Sequence, residues 1–155
     1  MRGAVRNSRS LPENIEPVVN HAIDAETRWG NAFDCVDVVI HLAARVHVMH
    51  ESASNPLDEF RKINVAGTEH LARAAAARGV KRFVYVSSVK VNGESTRRDE
   101  MFVESDKVCP QDPYGISKWE AEQVLHRIAK ETGMEVVIVS CLLYTSDAAD
   151  DSLRV

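Results

Sequence analysis

Several features that would classify a protein quickly are scarce or missing in this 155-residue sequence. No apolar run approaches the roughly 20 residues of a membrane span, and no signal-peptide pattern opens the chain. Cys35, Cys109 and Cys141 are odd in number and lack metal-site or disulfide-framework spacing, which points to a reduced, cytoplasmic protein. A strong charge of one sign is missing as well. Twenty-three acidic against 19 basic residues leave a formal net of −4, too weak to suggest nucleic acid or an anionic membrane as partner. There are no internal repeats and no low-complexity linkers. With 45% hydrophobic and 27% charged residues, what remains is one globular domain with enough chain for a real core.

Within that domain, strand-like and helix-like runs alternate. "EPVVNHAI" (16–23) reads as a strand and "AETRWGNAF" (25–33) as a short helix. "DVVIHLAA" (37–44) is a continuous apolar run, the kind buried on both faces of a parallel sheet. Asn55 and Pro56 supply an N-cap and a first-turn proline for a long helix over 56–78, which stops near Gly79. "KRFVYVSS" (81–88) is another strand. Asp112 and Pro113 open a second helix over 113–132, ending near Gly133, and "EVVIVS" (135–140) is the last strand. The β-α-β order predicts an α/β fold with a parallel sheet.

The two ends depart from this pattern. "MRGAVRNSRS" starts with a strand already under way. From Cys141 onward, "CLLYTSDAAD" matches residue for residue the translation of a sequencing-library adaptor, a transposase mosaic end and its flank read in frame. Residues 141–155 are therefore read as a non-native tail, and residues 1–140 as a fragment cut at both ends.

The residues with chemical potential lie at the start of the second long helix. At 100° per residue, Tyr114 and Lys118 share one face with Ala121, Leu125 and Ile128. That face is apolar, so it should pack inward, where a lysine is costly unless its charge is needed. Tyr114 lies in the first turn, at the positive end of the helix dipole, with the Lys118 ammonium below it. Both effects favour the phenolate and predict a phenol pKa below the usual ~10. Such a tyrosine can take a proton from a substrate hydroxyl or return one to a carbonyl. Ser87 and Ser88 end the strand upstream, and strand C-termini face the ligand crevice of a doubly wound sheet. Ser88 can there hydrogen-bond the reacting oxygen, although two serines after a strand are also an ordinary turn.

"DVVIHLAA" (37–44), "NVAGTEHL" (64–71), "FVYVSSVKVNGE" (83–94) and "PQDPYGISKWEAE" (110–122), in this order and spacing, resemble the extended short-chain dehydrogenase/reductase superfamily, of the NAD-dependent epimerase/dehydratase type. The resemblance covers residues 1–140. It implies a Rossmann-like doubly wound parallel sheet, truncated at both ends, and NAD or NADP as cofactor. It also implies that residues 1–140 form a partial dinucleotide-binding domain lacking the first strand and the glycine-rich phosphate loop. Leu42, Ala43 and Ala44 would form the loop that passes the cofactor, and Asn64 would support the site from the inward face it shares with Leu57, Phe60 and Leu71. Ser88 would be the catalytic Ser/Thr and Tyr114 the acid/base. Lys118 would hold the nicotinamide ribose and depress the tyrosine pKa.

The departures from that pattern also matter. Arg6 stands where NAD-preferring members carry an Asp for the ribose hydroxyls. An arginine would attract a 2′-phosphate, which leans toward NADP, and a solvated basic strand end explains it equally well. An acidic residue that often reaches the adenine would align near Ala22. Val89 and Lys90 replace the Asp-Glu pair that follows the catalytic residue in sugar 4,6-dehydratases. His47, His50 and Glu51 lack a third spaced ligand, so no metal is expected. The resemblance thus implies a nucleotide-sugar 4-epimerase associated with surface polysaccharides. The alternatives are a 4-keto-sugar reductase or dehydrogenase, or a non-catalytic dinucleotide-binding regulator. A homodimer through the two long helices is implied by analogy. The 155 residues by themselves are expected to be inactive and marginally folded, with exposed strand edges.

Overall fold

The computed structural model describes residues 1–7, 11–20, 22–46, 55–96, 101–103 and 105–141. Strands β1 (Arg2–Val5) and β2 (Glu16–Val19) pair in parallel. A second sheet has the order β3-β4-β5, from Val38–His41, Arg82–Ser88 and Glu135–Cys141, again all parallel. Parallel neighbours need a crossover, and helices supply both. The helical run from Pro56 to Ala77 joins β3 to β4, and α3 (Pro113–Thr132) joins β4 to β5. Among the described residues, no backbone pairing joins the two sheets.

Local chemistry explains the bounds of α3. The Asp112 carboxylate accepts from the Gly115 amide at 2.5 Å, Pro113 takes the first turn, and Gly133 ends the helix at φ 75°. The inward stripe predicted for this helix is buried at Tyr114, Lys118, Ala121, Leu125 and Ile128. Ala121 lets the helix approach β4, where Phe83 and Tyr85 complete the core with Leu71, Ala72 and Ala75. Each large apolar side chain buried there contributes roughly 1.5–3 kcal/mol.

The long helix over 56–78 holds, with changes in pitch and cap. It runs as α1 (Pro56–Phe60), a π-helical stretch (Arg61–Gly67) and α2 (Thr68–Ala77). Asn55 takes the N-cap position without a side-chain capping bond; its amide reaches the Asp58 carboxylate at 2.7 Å instead.

Three other expectations are corrected. The strand predicted over 16–23 stops at Val19. Residues 25–33 form no helix. Gly30 at φ 51° and Cys35 at φ 58° leave the helical basin, and consecutive turns close instead, from Ala32 N to Trp29 O at 2.8 Å and from Val36 N to Phe33 O at 3.1 Å. These turns still bury Trp29 and Phe33, so the aromatic spacing that suggests a helix is met another way. Strand β3 is covered on one face only: Val39 and His41 turn toward the helices, whereas Ile40 is 61% exposed and Leu42 73%. Among the described residues the helices lie over that inner face alone.

Candidate active site

Two elements meet at the C-terminal end of β4. The strand closes on Ser87 and Ser88, and a 3-10 turn (Val89–Val91) follows, with the Ser88 hydroxyl accepting from the Lys90 amide at 3.3 Å. Opposite it, Asp112 caps α3 with one oxygen and binds the Lys90 ammonium at 2.6 Å with the other. Glu94 is the second carboxylate on that ammonium, at 3.1 Å. The approach is so close that a Cβ on Gly115 would stand 2.8 Å from the Lys90 carbonyl oxygen. Gly115→Ala is therefore expected to push the turn away from the helix, costing on the order of 1–3 kcal/mol in a urea melt.

Tyr114 is 6% exposed, with its ring edge-on to Phe60 at 6.3 Å. Burial pushes its phenol above the ordinary value of 10; hydrogen bonding with Ser88 and the Lys90 charge act the other way. This corrects the predicted depression, because desolvation, aided by the Asp112 carboxylate, outweighs Ser88 and Lys90. Ser88 and Tyr114 do come together. The cation acting on the phenol is Lys90, whereas Lys118 is turned onto the strand. The residue is 2% exposed, and its ammonium donates to the Val86 carbonyl at 2.6 Å and lies 4.0 Å above the Tyr85 ring. Burial lowers the Lys118 pKa from 10.5 to about 8, with Glu122 opposing.

Asn64 links this cluster to the loop after β3. Its amide donates to the Ser117 hydroxyl at 2.9 Å and to the Arg45 carbonyl at 3.0 Å, and its oxygen accepts from the Arg45 amide at 2.7 Å. Ser117 in turn donates to the Tyr114 carbonyl at 2.7 Å. A buried asparagine thus satisfies its polar atoms while holding loop and helix in register.

Arg6, Ala43 and Ala44 line a separate cleft of ≈ 310 Å³ at the ends of β1, β2 and β3. Leu42, expected beside them, lies at the surface. Asn20, Asp24, Glu59 and Lys62 also line the cleft, and the sequence reading missed all four. Asp24 stands two residues past Ala22, where an acid was sought. The Asn20 amide nitrogen is buried without a hydrogen-bond partner among the described residues. An orphaned donor in a cleft beside Arg6 and Asp24 suits a polar ligand carrying acceptors, as a dinucleotide does. His47, His50 and Glu51 lie outside the described residues.

Two buried groups were also missed, although each carries a sequence signal. Glu122 follows Lys118 by four residues on the inward stripe, and His41 sits in an otherwise apolar strand. His41 Nε2 pairs with the Thr68 hydroxyl at 3.0 Å, and burial lowers its pKa from 6.5 to about 4.

A family model for the NAD dependent epimerase/dehydratase family matches residues 2–147, ending inside the stretch read above as non-native. UDP-glucose 4-epimerase of Vibrio cholerae is 46% identical over 139 residues, which cover 90% of this chain and 42% of that protein. dTDP-D-glucose 4,6-dehydratase of Mus musculus is 41% identical over 87 residues, 56% of this chain and 23% of that one. A solved short-chain dehydrogenase/reductase superfamily protein from Agrobacterium tumefaciens with bound NAD superposes with a TM-score of 0.71 at 29% identity, covering 90% of this chain and 40% of that one. The chain spans less than half the length of these relatives. Matched over nearly all its residues and folded like these proteins, the chain belongs to the NAD dependent epimerase/dehydratase family.

Proposed function

We propose that the chain is part of an NAD(P)-dependent nucleotide-sugar enzyme of the UDP-sugar 4-epimerase kind. The observation that carries this is the meeting of Ser88 and Tyr114 at the end of β4, with Lys118 packed beneath them. The dinucleotide, when bound, accepts and returns a hydride. Arg6, Ala43 and Ala44 would take its adenosine end in the cleft. Lys118 offers the ribose the ammonium donors not used on Val86. Ser88 would hydrogen-bond the sugar hydroxyl that reacts, and Tyr114 would take its proton. Tyr114 later returns that proton to the keto oxygen, so no net proton is consumed. Asn64 keeps both walls of the site in place.

A sugar dehydratase is disfavoured because Lys90, engaged with Asp112 and Glu94, occupies the place of a catalytic carboxylate. A 4-keto-sugar reductase or dehydrogenase uses the same groups and stops after one hydride transfer. A non-catalytic regulator would not need both Tyr114 and Lys118. Arg6 leans the cofactor choice toward NADP, against the nearby carboxylates of Asp24 and Glu59.

The test is incubation of the full-length protein carrying this chain with UDP-glucose and either dinucleotide. The expected result is UDP-galactose without net cofactor reduction. Stoichiometric reduction would support the dehydrogenase and overturn the epimerase. Binding of neither dinucleotide would overturn both.

A further inference from the structure

The inward stripe of α3 carries a third ionisable group. Glu122 follows Lys118 by one turn and Tyr114 by two, so the three stack along one face. Glu122 is 7% exposed and lies at the seam between helix and strand, where a carboxyl is costly without a partner. Its partner is the hydroxyl of Ser87, which donates a hydrogen bond to Glu122 Oε1. Ser87 is the residue immediately before Ser88. Nothing in the proton transfer above uses either member of this pair.

Two geometric consequences follow. The last residues of β4 are tied to α3 by a side-chain bond, one residue before Ser88 and two helical turns after Tyr114. A carboxylate also lies one helical turn from a buried ammonium that, among the described residues, donates to the Val86 carbonyl. The groups facing Glu122 are Ser87 and Tyr85 on β4, and Lys118 and His126 on its own helix. We propose that Glu122 is a positioning residue of this site. Through the Ser87 hydroxyl it fixes the strand end that presents Ser88, and it sets a carboxylate one helical turn from the Lys118 ammonium that lies beneath Tyr114.

The electrostatics agree in sign. Burial pushes the Glu122 carboxyl up, while Ser87, His126 and Lys118 pull it down. Burial lowers Lys118, and Glu122 raises it. Without Glu122, Lys118 would lose its proton nearer neutral pH, and the site would lose a donor to the ribose.

The inference rests on the proposed function, yet its test involves no turnover. The side-chain amines of the full-length protein that carries this chain, labelled with ¹⁵N-lysine, are titrated by NMR. Lys118 is expected to titrate at about pH 8 in the wild type. In Glu122→Gln, which keeps size and hydrogen bonding, the midpoint falls by about one unit. Glu122→Asp moves it in the same direction by less. Ser87→Ala leaves the charge in place and the midpoint near its wild-type value. An unchanged midpoint in a folded Glu122→Gln protein overturns the proposal. If Glu122→Gln does not fold, an unchanged midpoint in Glu122→Asp overturns it instead. Loss of turnover in Tyr114→Phe is read separately, so either idea can fail while the other stands.

Discussion

Tyr114→Phe, made in the full-length protein that carries this chain, is expected to lower turnover by about 10²–10⁴-fold. Dinucleotide affinity should stay within a few fold, because no wall of the cofactor cleft changes. The substitution removes one oxygen and keeps the ring, so the edge contact with Phe60 and the burial of the helix start persist. A change in the denaturation midpoint should therefore be small beside the change in rate. The phenol carries a further signature. Burial holds it above its ordinary value, against the pull of Ser88 and Lys90. A group raised in this way stays protonated to higher pH, so the basic form needed for proton abstraction accumulates only on the alkaline side. Lys90→Met removes a charge that favours the phenolate and should move the rising limb of kcat/KM further alkaline. Turnover surviving intact in Tyr114→Phe would sink the assignment of this residue.

Acidification from pH 6.5 to about 4 is expected to remove about 3 kcal/mol of stability through a single side chain, His41. Its pKa is lowered from 6.5 to about 4, chiefly by burial and secondarily by the Lys118 charge. Its surroundings are the Thr68 hydroxyl and the rings of Phe83 and Tyr85, at 6.0 and 5.8 Å. In that window the unfolded chain binds the proton and the folded chain does not. Stability is therefore full above 6.5 and is lost as pH falls toward 4. Glu122 works against this loss, because a raised carboxyl binds its proton more readily in the folded state. For a domain stable by roughly 5–15 kcal/mol, the net loss is easily seen. Urea midpoints at pH 7, 5.5 and 4 measure it, and His41→Gln, which cannot titrate, should flatten the slope over that range. An equal acid slope in His41→Gln would assign the loss elsewhere. At the other end, Lys118 acts in the same sense. With its pKa lowered from 10.5 to about 8, the unfolded chain holds more protons between those values, so stability rises with pH there.

The elements most legible in the sequence are those fixed by neighbours close in the chain. The start of α3 follows from Asp112 and Pro113 and its end from Gly133, because capping uses atoms three or four residues away. Its inward stripe, and the inward place of Asn64, follow from helical periodicity alone. The polar spacing of Tyr114 and Lys118 and the strand-end Ser88 point to the proposed site without any knowledge of packing.

What the tertiary structure decided is what those faces meet. The spacing of Trp29 and Phe33 suits a helix and also a series of turns, and only the course of the chain around Gly30 separates them. An apolar strand such as β3 is buried on both faces only where something covers both. Lys118 faces inward by periodicity, yet its aim is set by the Val86 carbonyl, 32 residues away. Gly115 is required because the Lys90 carbonyl comes within reach of its Cβ position. The tyrosine's pKa shift reversed sign for the same reason. Charge at a helix N-terminus can be read along the chain, whereas desolvation depends on every element packed around the ring.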